Sequence, residues 1–253
     1  MKWSFQAFFL FLLVITSEIS WARGRHRSNY SEITNFNQAK KYLFQHLDQF
    51  DNKTIYCSCT VEKKSVIINS CGYKVQSKKN SNRAFRVEWE HVVPAEAFGQ
   101  SFSEWRSGSE ACHKNGRAFK GRKCAETNPE FNRMESDLYN LYPEIGELNG
   151  LRSNYSMAEL SESRKDFGGC HVKIFNRKFE PEDSAKGVVA RTYLNFNNRY
   201  PGHGIVSNKN QKLFEAWDHL HPVTELECQR WKFFESKNKY PHLFADRCKT
   251  LKL

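Results

Sequence analysis

Eight cysteines, all downstream of an apolar N-terminal stretch, constrain this chain more than any other feature of its sequence. An apolar leader directs a chain out of the cytosol, and in an oxidising compartment thiols pair. We therefore expect four disulfides, although eight cysteines allow 105 pairings and the sequence does not choose among them. A bridge between Cys57 and Cys59 is disfavoured, because residues so close in the chain cannot pair without strain. The eight are Cys57, Cys59, Cys71, Cys112, Cys124, Cys170, Cys228 and Cys248.

The leader itself, residues 1–22, has the pattern of a signal peptide. Lys2 precedes an apolar run that is too short to span a bilayer comfortably. Ser20 and Ala22 supply small residues at the −3 and −1 positions, so we expect cleavage after Ala22. A retained membrane anchor is the alternative, but no stop-transfer pattern follows. Residues 1–22 carry one basic and one acidic residue, so the predicted mature chain, 23–253, keeps the net charge of +11.

The remaining sequence predicts one folded domain. Hydrophobic residues make up 39% of the chain, and 13 glycines and 7 prolines are too few for a disordered or collagen-like protein. No internal repeat and no linker rich in proline, glycine or serine divides it. We expect a single mixed α+β domain, stapled by disulfides and monomeric.

Helical periodicity is the clearest local signal. Apolar residues at steps of three and four predict helices over residues 36–50, 186–196 and 208–220. The segment Thr224 to Glu227 fits a capping box that opens a last helix. Residues 134–149 look helical or interrupted by turns.

Strand signals fall in the first third of the chain. Residues 54–60 and 64–69 are rich in threonine, valine, isoleucine and tyrosine, and 71–76 extends the same pattern. In 84–89 apolar and charged residues alternate, which predicts a strand that ends near His91.

Residues 99–133 look like a loop, and a loop of that length needs a function or a staple. A bridge between Cys112 and Cys124 would supply the staple. Within the loop, residues 114–123 contain five basic residues and no acidic one. Such a cluster in a basic protein fits a nucleic-acid partner, since neutralised phosphates release counterions. A merely solvated basic loop is the alternative.

Glu90 and His91 stand side by side where the predicted strand ends. Neighbouring strand residues point to opposite faces, so the two can share a site only if the chain bends there. Hydrolysis of a phosphodiester needs a hard cation with oxygen ligands, a base for water and a cation for the phosphate. Glu90, Asn140, His91 and Arg117 would meet those needs. Each of them also has a structural alternative, such as a helix cap or turn for Asn140.

Several long motifs in one order strongly resemble the bacterial endonuclease I family. The resemblance is close over residues 83–154 and resumes in shorter segments between residues 190 and 230. It is carried by EWEHVVPA at 88–95, Gly116-Arg117 between Cys112 and Cys124, MESDLYNL at 134–141 and GELNG at 146–150.

The resemblance implies a periplasmic or secreted nuclease whose active site is a ββα-metal motif. It implies cutting of DNA and RNA without sequence preference, leaving 5′-phosphate ends. His91 would be the general base, Glu90 and Asn140 the ligands of one Mg²⁺, which Mn²⁺ or Ca²⁺ can replace in binding, and Arg117 the arginine that binds phosphate. Arg122, five residues further on, is the alternative to Arg117. Family members often have histidine before the ligand asparagine, where this chain has a tyrosine.

Two other functions stay open at this point. A secreted nucleic-acid-binding protein without catalysis would bind DNA in magnesium and leave it uncut. A zinc-dependent extracellular hydrolase acting on another substrate would hold a zinc ion that survives dialysis. Separately, a zinc site at Cys57, Cys59 and Cys71 is the alternative to disulfides at these positions. Those three cysteines lack the paired C-x-x-C spacing typical of zinc sites.

Overall fold

A computed structural model describes residues 33–50, 52–77, 79 and 81–251 of the chain. The predicted signal peptide and its cleavage site lie outside the described residues. The described residues belong to one compact unit, as expected of a single domain. Within these ranges no helix is both long and apolar enough to cross a lipid bilayer.

Short helices and strands alternate along the described residues, which confirms the mixed α+β class. The helices are α1 Phe36–Gln45, α2 Leu47–Phe50, α3 Ser81–Ala84, α4 Ala95–Gly99, α5 Ser103–Arg106, α6 Arg122–Ala125, α7 Pro129–Glu135, α8 Gly146–Arg152, α9 Asp183–Arg199, α10 Asn208–Leu220 and α11 Glu225–Asn238, with 3₁₀ turns at Ile68–Ser70, Leu138–Asn140 and Ala245–Thr250. The strands are β1 Thr60–Glu62, β2 Ser65–Ile67, β3 Val87–His91, β4 His113–Lys114, β5 Arg117–Ala118, β6 Leu141–Ile145, β7 Ser156–Met157, β8 Lys173–Phe175 and β9 Lys178–Glu180.

The central pair joins β3 and β6, which are far apart in the chain. They run antiparallel, with Val87 opposite Ile145 at one end of the pair and His91 at the other. Helix α8 begins at Gly146, immediately after β6, and contacts both strands. A Cβ at Gly146 would come within 2.8 Å of the carbonyl oxygen of Arg83, so glycine is required where the strand turns into the helix. The strand pair and helix α8 therefore form one tightly packed substructure.

The other strands form small sheets around this centre. Strand β1 pairs antiparallel with β2, and β4 pairs antiparallel with β5. Strand β9 lies between β7, its parallel partner, and β8, its antiparallel partner.

The three longest helices, α9 to α11, form the C-terminal part of the unit. The predicted capping box is confirmed: the hydroxyl of Thr224 accepts from the backbone N–H of Glu227, whose carboxylate accepts from the N–H of Thr224. The buried guanidinium of Arg191 on α9 donates to Asp218 on α10 and to Glu227 on α11. These charge-assisted hydrogen bonds tie the three helices together.

All eight cysteines are paired, which confirms the four expected disulfides. Cys57 and Cys59 bond to different partners, and the expected staple between Cys112 and Cys124 is present. No thiol is left to bind zinc. The bridges are Cys57–Cys170, Cys59–Cys71, Cys112–Cys124 and Cys228–Cys248.

The expectation of helix or turns over 134–149 is wrong at residues 141–145, which form β6. Pro143 argued against a strand, because proline has no backbone N–H to give to a sheet. Among the described strands β6 pairs with β3 alone, so its other edge can carry a proline. The carbonyl of Pro143 accepts from the N–H of Ile55 across that edge at 3.0 Å.

Other boundaries also differ from the prediction. The predicted strand 54–60 is a turn until its last residue, and 71–76 forms only a single bridge at Tyr73. The first helix breaks at His46. Residues 99–133 hold helices and a hairpin rather than a loop. Elements of two to seven residues are too short to show a period in sequence, which is why the prediction missed them.

Candidate active site

A cavity of about 420 Å³, here called the His91 cavity, opens where β3 ends. Both Glu90 and His91 line it, although neighbouring strand residues point to opposite faces. The bend that this requires lies at Val92 and Val93, directly after the strand. Cations outnumber carboxylates in the polar lining, which suits an anionic ligand. The polar side chains are Lys40, Arg83, Glu88, Glu90, His91, Arg122, Asn149, Arg152 and Ser153.

His91 is buried and held in one orientation. Its Nε2 lies 2.8 Å from the backbone carbonyl oxygen of Glu135, and the ring of Phe36 packs against it with centroids 4.6 Å apart. A carbonyl oxygen only accepts, so Nε2 carries the proton and Nδ1 keeps its lone pair. Burial, together with the nearby cation of Arg122, lowers the pKa of His91 to about 3. The imidazole is therefore neutral at neutral pH.

Glu90 is the most buried carboxylate of the cavity, with 2% of its surface exposed. Its Oε1 accepts from the hydroxyl of Tyr56 at 2.8 Å and lies 3.3 Å from the guanidinium of Arg152. Within the described part of the chain Oε2 has no hydrogen-bond donor. Burial raises the pKa of Glu90 to about 7, against the lowering effect of Arg152.

Arg152, the last residue of α8, holds the bend after β3. Its guanidinium donates to the carbonyl oxygens of His91 at 3.2 Å and Val92 at 2.6 Å. The same group faces Glu90, so one buried cation compensates a buried carboxylate and fixes the backbone beside it. Helix α8 thus positions both residues at the end of β3.

The two asparagines near this bend differ in what their amides contact. Oδ1 of Asn140 accepts from the N–H of Val93 at 2.7 Å, and its Nδ2 donates to the carbonyl of Val93 at 3.0 Å. Asn140 is fully buried and does not line the His91 cavity. Asn149 on α8 does line it, and its amide has no hydrogen-bond partner among the described residues. Asn140 therefore fastens the bend, whereas the amide of Asn149 is available to a ligand.

The two candidate arginines also separate. Arg117 is exposed on strand β5, outside the His91 cavity. Arg122 begins α6 and lines the cavity, with its Nε bonded to the carboxylate of Glu135 and its guanidinium 5.1 Å from the ring centroid of Phe36. Of the two, Arg122 is the one beside His91.

The sequence profile of the Endonuclease I family matches residues 22–241. The chain belongs to the endonuclease I family. It is similar to Endonuclease-1 of Buchnera aphidicola subsp. Acyrthosiphon pisum, with 41% identity over 79% of this chain and 76% of that protein. It is also similar to a periplasmic deoxyribonuclease of Aeromonas hydrophila, with 36% identity over 79% and 80% of the two chains. An extracellular deoxyribonuclease of the same species is 37% identical over 76% and 81%.

Membership of the endonuclease I family confirms the predicted family and, with it, an enzyme that hydrolyses nucleic acid. In this family member, the structure brings the predicted Glu90 and His91 together and leaves the predicted Asn140 and Arg117 outside the cavity. No group of three or more histidine, cysteine, aspartate or glutamate side chains suited to a metal occurs within the described ranges.

Several cavity residues of this family member were not singled out from the sequence. Asn149 lies inside the GELNG motif that carried the resemblance, and Arg152 follows it by three residues on the same helix. Phe36 and Lys40 come from α1, whose periodicity gave no sign of a site. The motifs that carried the resemblance contained Asn149, in GELNG, and Glu88, in EWEHVVPA, whereas Phe36, Lys40 and Arg152 lay outside them.

Proposed function

We propose that this protein is an exported endonuclease that hydrolyses phosphodiester bonds in DNA, and also in RNA, without sequence preference. The observation that carries the proposal is the state of His91: neutral, fixed through Nε2, and with the lone pair of Nδ1 at a cavity rich in cations. A base held this way suits the activation of water beside a phosphate.

In the proposed mechanism His91 takes a proton from a water molecule through Nδ1, and the resulting hydroxide attacks phosphorus in line with the departing oxygen. The carbonyl of Glu135 keeps the ring in place while its charge changes. Arg122, held by the carboxylate of Glu135, offsets the negative charge that grows on the phosphate oxygens. Lys40 adds a second cation at the same cavity.

The donor set of the cavity fits a hard divalent cation such as Mg²⁺, with Mn²⁺ or Ca²⁺ as substitutes in binding. Oε2 of Glu90 and the amide oxygen of Asn149 are oxygen donors that no protein group occupies in the described structure. Asn149 therefore replaces Asn140 as the proposed second ligand. Mg²⁺ commonly keeps several waters and uses one or two protein ligands. When bound, the cation would stabilise negative charge on the departing oxygen.

Strand β3, strand β6 and helix α8 supply the elements of a ββα-metal motif: two antiparallel strands followed by a helix. The proposed base ends the first strand, and the proposed ligand Asn149 lies on the helix. The long segment between the strands then carries Arg122 back to the cavity. The resemblance to the endonuclease I family implies products with 5′-phosphate ends, and we include such products in the proposal.

The four disulfides and the names of the Aeromonas relatives support a location in the periplasm or outside the cell. Reducing compartments do not maintain such bridges. We propose that the enzyme is a monomer with no stable membrane association after removal of the leader.

Incubation of the purified protein with plasmid DNA and with RNA, each in Mg²⁺ and in EDTA, tests the proposal. Cleavage in Mg²⁺ and none in EDTA is expected. Kinase labelling of the products should then depend on prior phosphatase treatment, because a 5′ end that bears a phosphate accepts the label only after that phosphate is removed. If the protein binds plasmid DNA in Mg²⁺ but leaves it uncut, it is a nucleic-acid-binding protein without catalysis. If cleavage persists in EDTA, the reaction does not need a divalent cation.

A further inference from the structure

Residues 112–121, here called the basic hairpin, form a surface that the mechanism at His91 does not use. Strands β4 and β5 are joined by Asn115 and Gly116, whose φ angles of 51° and 73° are those of a tight two-residue hairpin turn. The disulfide between Cys112 and Cys124 closes the base of the hairpin. Its shape is therefore fixed covalently.

Repulsion between like charges destabilises the hairpin. Lys114 lies directly opposite Arg117 in the strand register, and both are exposed. Like charges at opposed positions of a strand pair destabilise it. Neither residue, nor Lys120 beyond them, forms an ion pair with any carboxylate in the described part of the chain. An external anion would remove this repulsion.

A surface cavity of about 790 Å³ lies along the hairpin and has no acidic residue in its lining. It is lined by Lys114, Asn115, Arg117, Ala118, Phe119, Lys120 and Lys123. The half-buried ring of Phe119 gives it an apolar floor among the cations. A chain of phosphates joined by sugars matches this combination of charge and apolar surface.

Shared residues connect this cavity with the His91 cavity. Lys123 lines both the hairpin cavity and a neighbouring groove of about 570 Å³. Phe36, Lys40 and Arg122 line both that groove and the His91 cavity. A continuous path therefore runs from the proposed site of chemistry to the tip of the hairpin. Its middle groove carries three cations, Lys40, Arg122 and Lys123, and two carboxylates, Glu126 and Glu135, which pair with Lys123 and Arg122.

We infer that the basic hairpin is a second contact surface for the substrate: it binds phosphates of nucleotides next to the one that is cut. The inference rests on the proposed function, because it takes the occupant of the path to be the strand cut at His91. It assigns Arg117 to holding the strand rather than to the chemistry. The hairpin sets how tightly, and with what salt dependence, the enzyme holds long nucleic acid.

The test removes three positive charges from the hairpin with Lys114→Gln, Arg117→Gln and Lys120→Gln in one variant. Lys123 is kept, because it pairs with Glu126. A matched control carries Lys165→Gln, Lys178→Gln and Lys212→Gln, which remove the same charge from exposed positions that line none of the three cavities. Binding of a labelled DNA duplex is measured in EDTA over a salt series.

For the hairpin variant, the slope of log affinity against log salt should become shallower by about 0.9 for each phosphate that the hairpin no longer neutralises. The control should keep the slope of the parent. In Mg²⁺, the hairpin variant should lose far more activity on plasmid than on bis(4-nitrophenyl) phosphate, a diester too small to reach the hairpin. Thermal unfolding verifies that each variant is folded. Lys120 lies outside the paired strands, so Lys120→Gln alone tests the same inference without changing the strand pair, with a smaller expected change of slope.

An unchanged slope, or equal changes in both triple variants, would overturn the inference, because the hairpin would then act only through net charge or not at all. An equal loss on the small diester would place the hairpin in the chemistry and also overturn it. Failure of the parent to cut either substrate would overturn the proposed function instead, while the binding slopes in EDTA would still decide the role of the hairpin.

Discussion

Glu135 contacts His91 through its backbone and Arg122 through its side chain. The carbonyl oxygen accepts from Nε2 of His91 at 2.8 Å, and the carboxylate accepts from Nε of Arg122. The end of α7 thus holds the proposed base and the proposed phosphate-binding cation with one residue. Substitution of Glu135 can release the arginine but leaves the carbonyl that orients the histidine.

His91→Ala should abolish cleavage and spare DNA binding, because a general base contributes roughly 10²–10⁴ in rate while affinity comes mostly from phosphate contacts. Cleavage and gel-shift assays on the same preparation measure the two effects. His219→Ala, at an exposed position on α10, is the matched control. Cutting within tenfold of the parent would show that His91 is not the base.

Glu90→Gln and Asn149→Ala should each weaken Mn²⁺ binding, since few protein ligands hold such an ion and each loss opens the site. Asn140→Ala should instead lower the free energy of unfolding by about 1–3 kcal/mol, because it leaves the backbone polar groups of Val93 unpaired. Calorimetric titration and denaturant unfolding separate the effects. If Asn140→Ala removes Mn²⁺ binding at unchanged stability and Asn149→Ala does not, Asn140 is the ligand.

Arg122→Ala should lower turnover roughly a hundredfold, as expected for a group that stabilises growing negative charge. Arg117→Ala should mainly raise KM for DNA. Arg122→Lys keeps the charge but loses the planar fork, so it should recover only part of the rate. Steady-state kinetics on plasmid DNA provide the comparison. Equal small losses of turnover in both alanine variants would show that Arg122 contributes only its positive charge to the surface and not a specific contact with the reacting phosphate.

The enzyme should be inactive when it is kept reduced. The bridge between Cys112 and Cys124 orders the segment that leads into Arg122, and loss of such a bridge costs about 2–4 kcal/mol. Cys112→Ser with Cys124→Ser should therefore lower activity more than Cys228→Ser with Cys248→Ser. Circular dichroism verifies folding of each sample. Full activity in reduced, folded protein would show that the disulfides contribute only to the stability of the fold and are not needed for activity.

Acid should destabilise the protein through His242. Its ring stacks on Trp231 with centroids 3.9 Å apart, and burial holds the pKa of His242 well below 6.5. Below pH 6.5 the unfolded chain binds a proton there that the folded chain does not, so stability falls as pH falls, by up to about 1.4 kcal/mol per pH unit for this group. In His242→Phe the free energy of unfolding should depend less steeply on pH between 4.5 and about 6.5. An identical slope in parent and variant would contradict this.

What the sequence allowed us to predict depended on signals confined to a few neighbouring residues. The capping box at Thr224 needed only four residues, and the end of β3 at His91 was marked by alternation and by the proline that follows. Pairing of β3 with β6 depends instead on contacts across a long insertion, which no local pattern encodes. The Asn115-Gly116 turn was readable in principle, but the two-residue strands beside it carried no periodic signal.

The sequence alone also could not decide whether Asn140 or Asn149 is available as a ligand in the site. Both are asparagines in motifs that carry the family resemblance, and nothing in their neighbours along the chain distinguishes them. They differ because the side-chain amide of Asn140 is hydrogen-bonded to the backbone of Val93, which is 47 residues away in the chain. Only the fold decides which asparagine stays available.

The bridge between Cys57 and Cys170 spans 113 positions of the chain. Strand β3, the segment leading to Arg122, strand β6 and helix α8 all lie inside that covalent ring. A protease that cuts one peptide bond anywhere within it leaves both pieces joined through sulfur, with Glu90, His91 and Asn149 still on a single connected molecule. An enzyme released among foreign proteases can in this way be nicked without being taken apart.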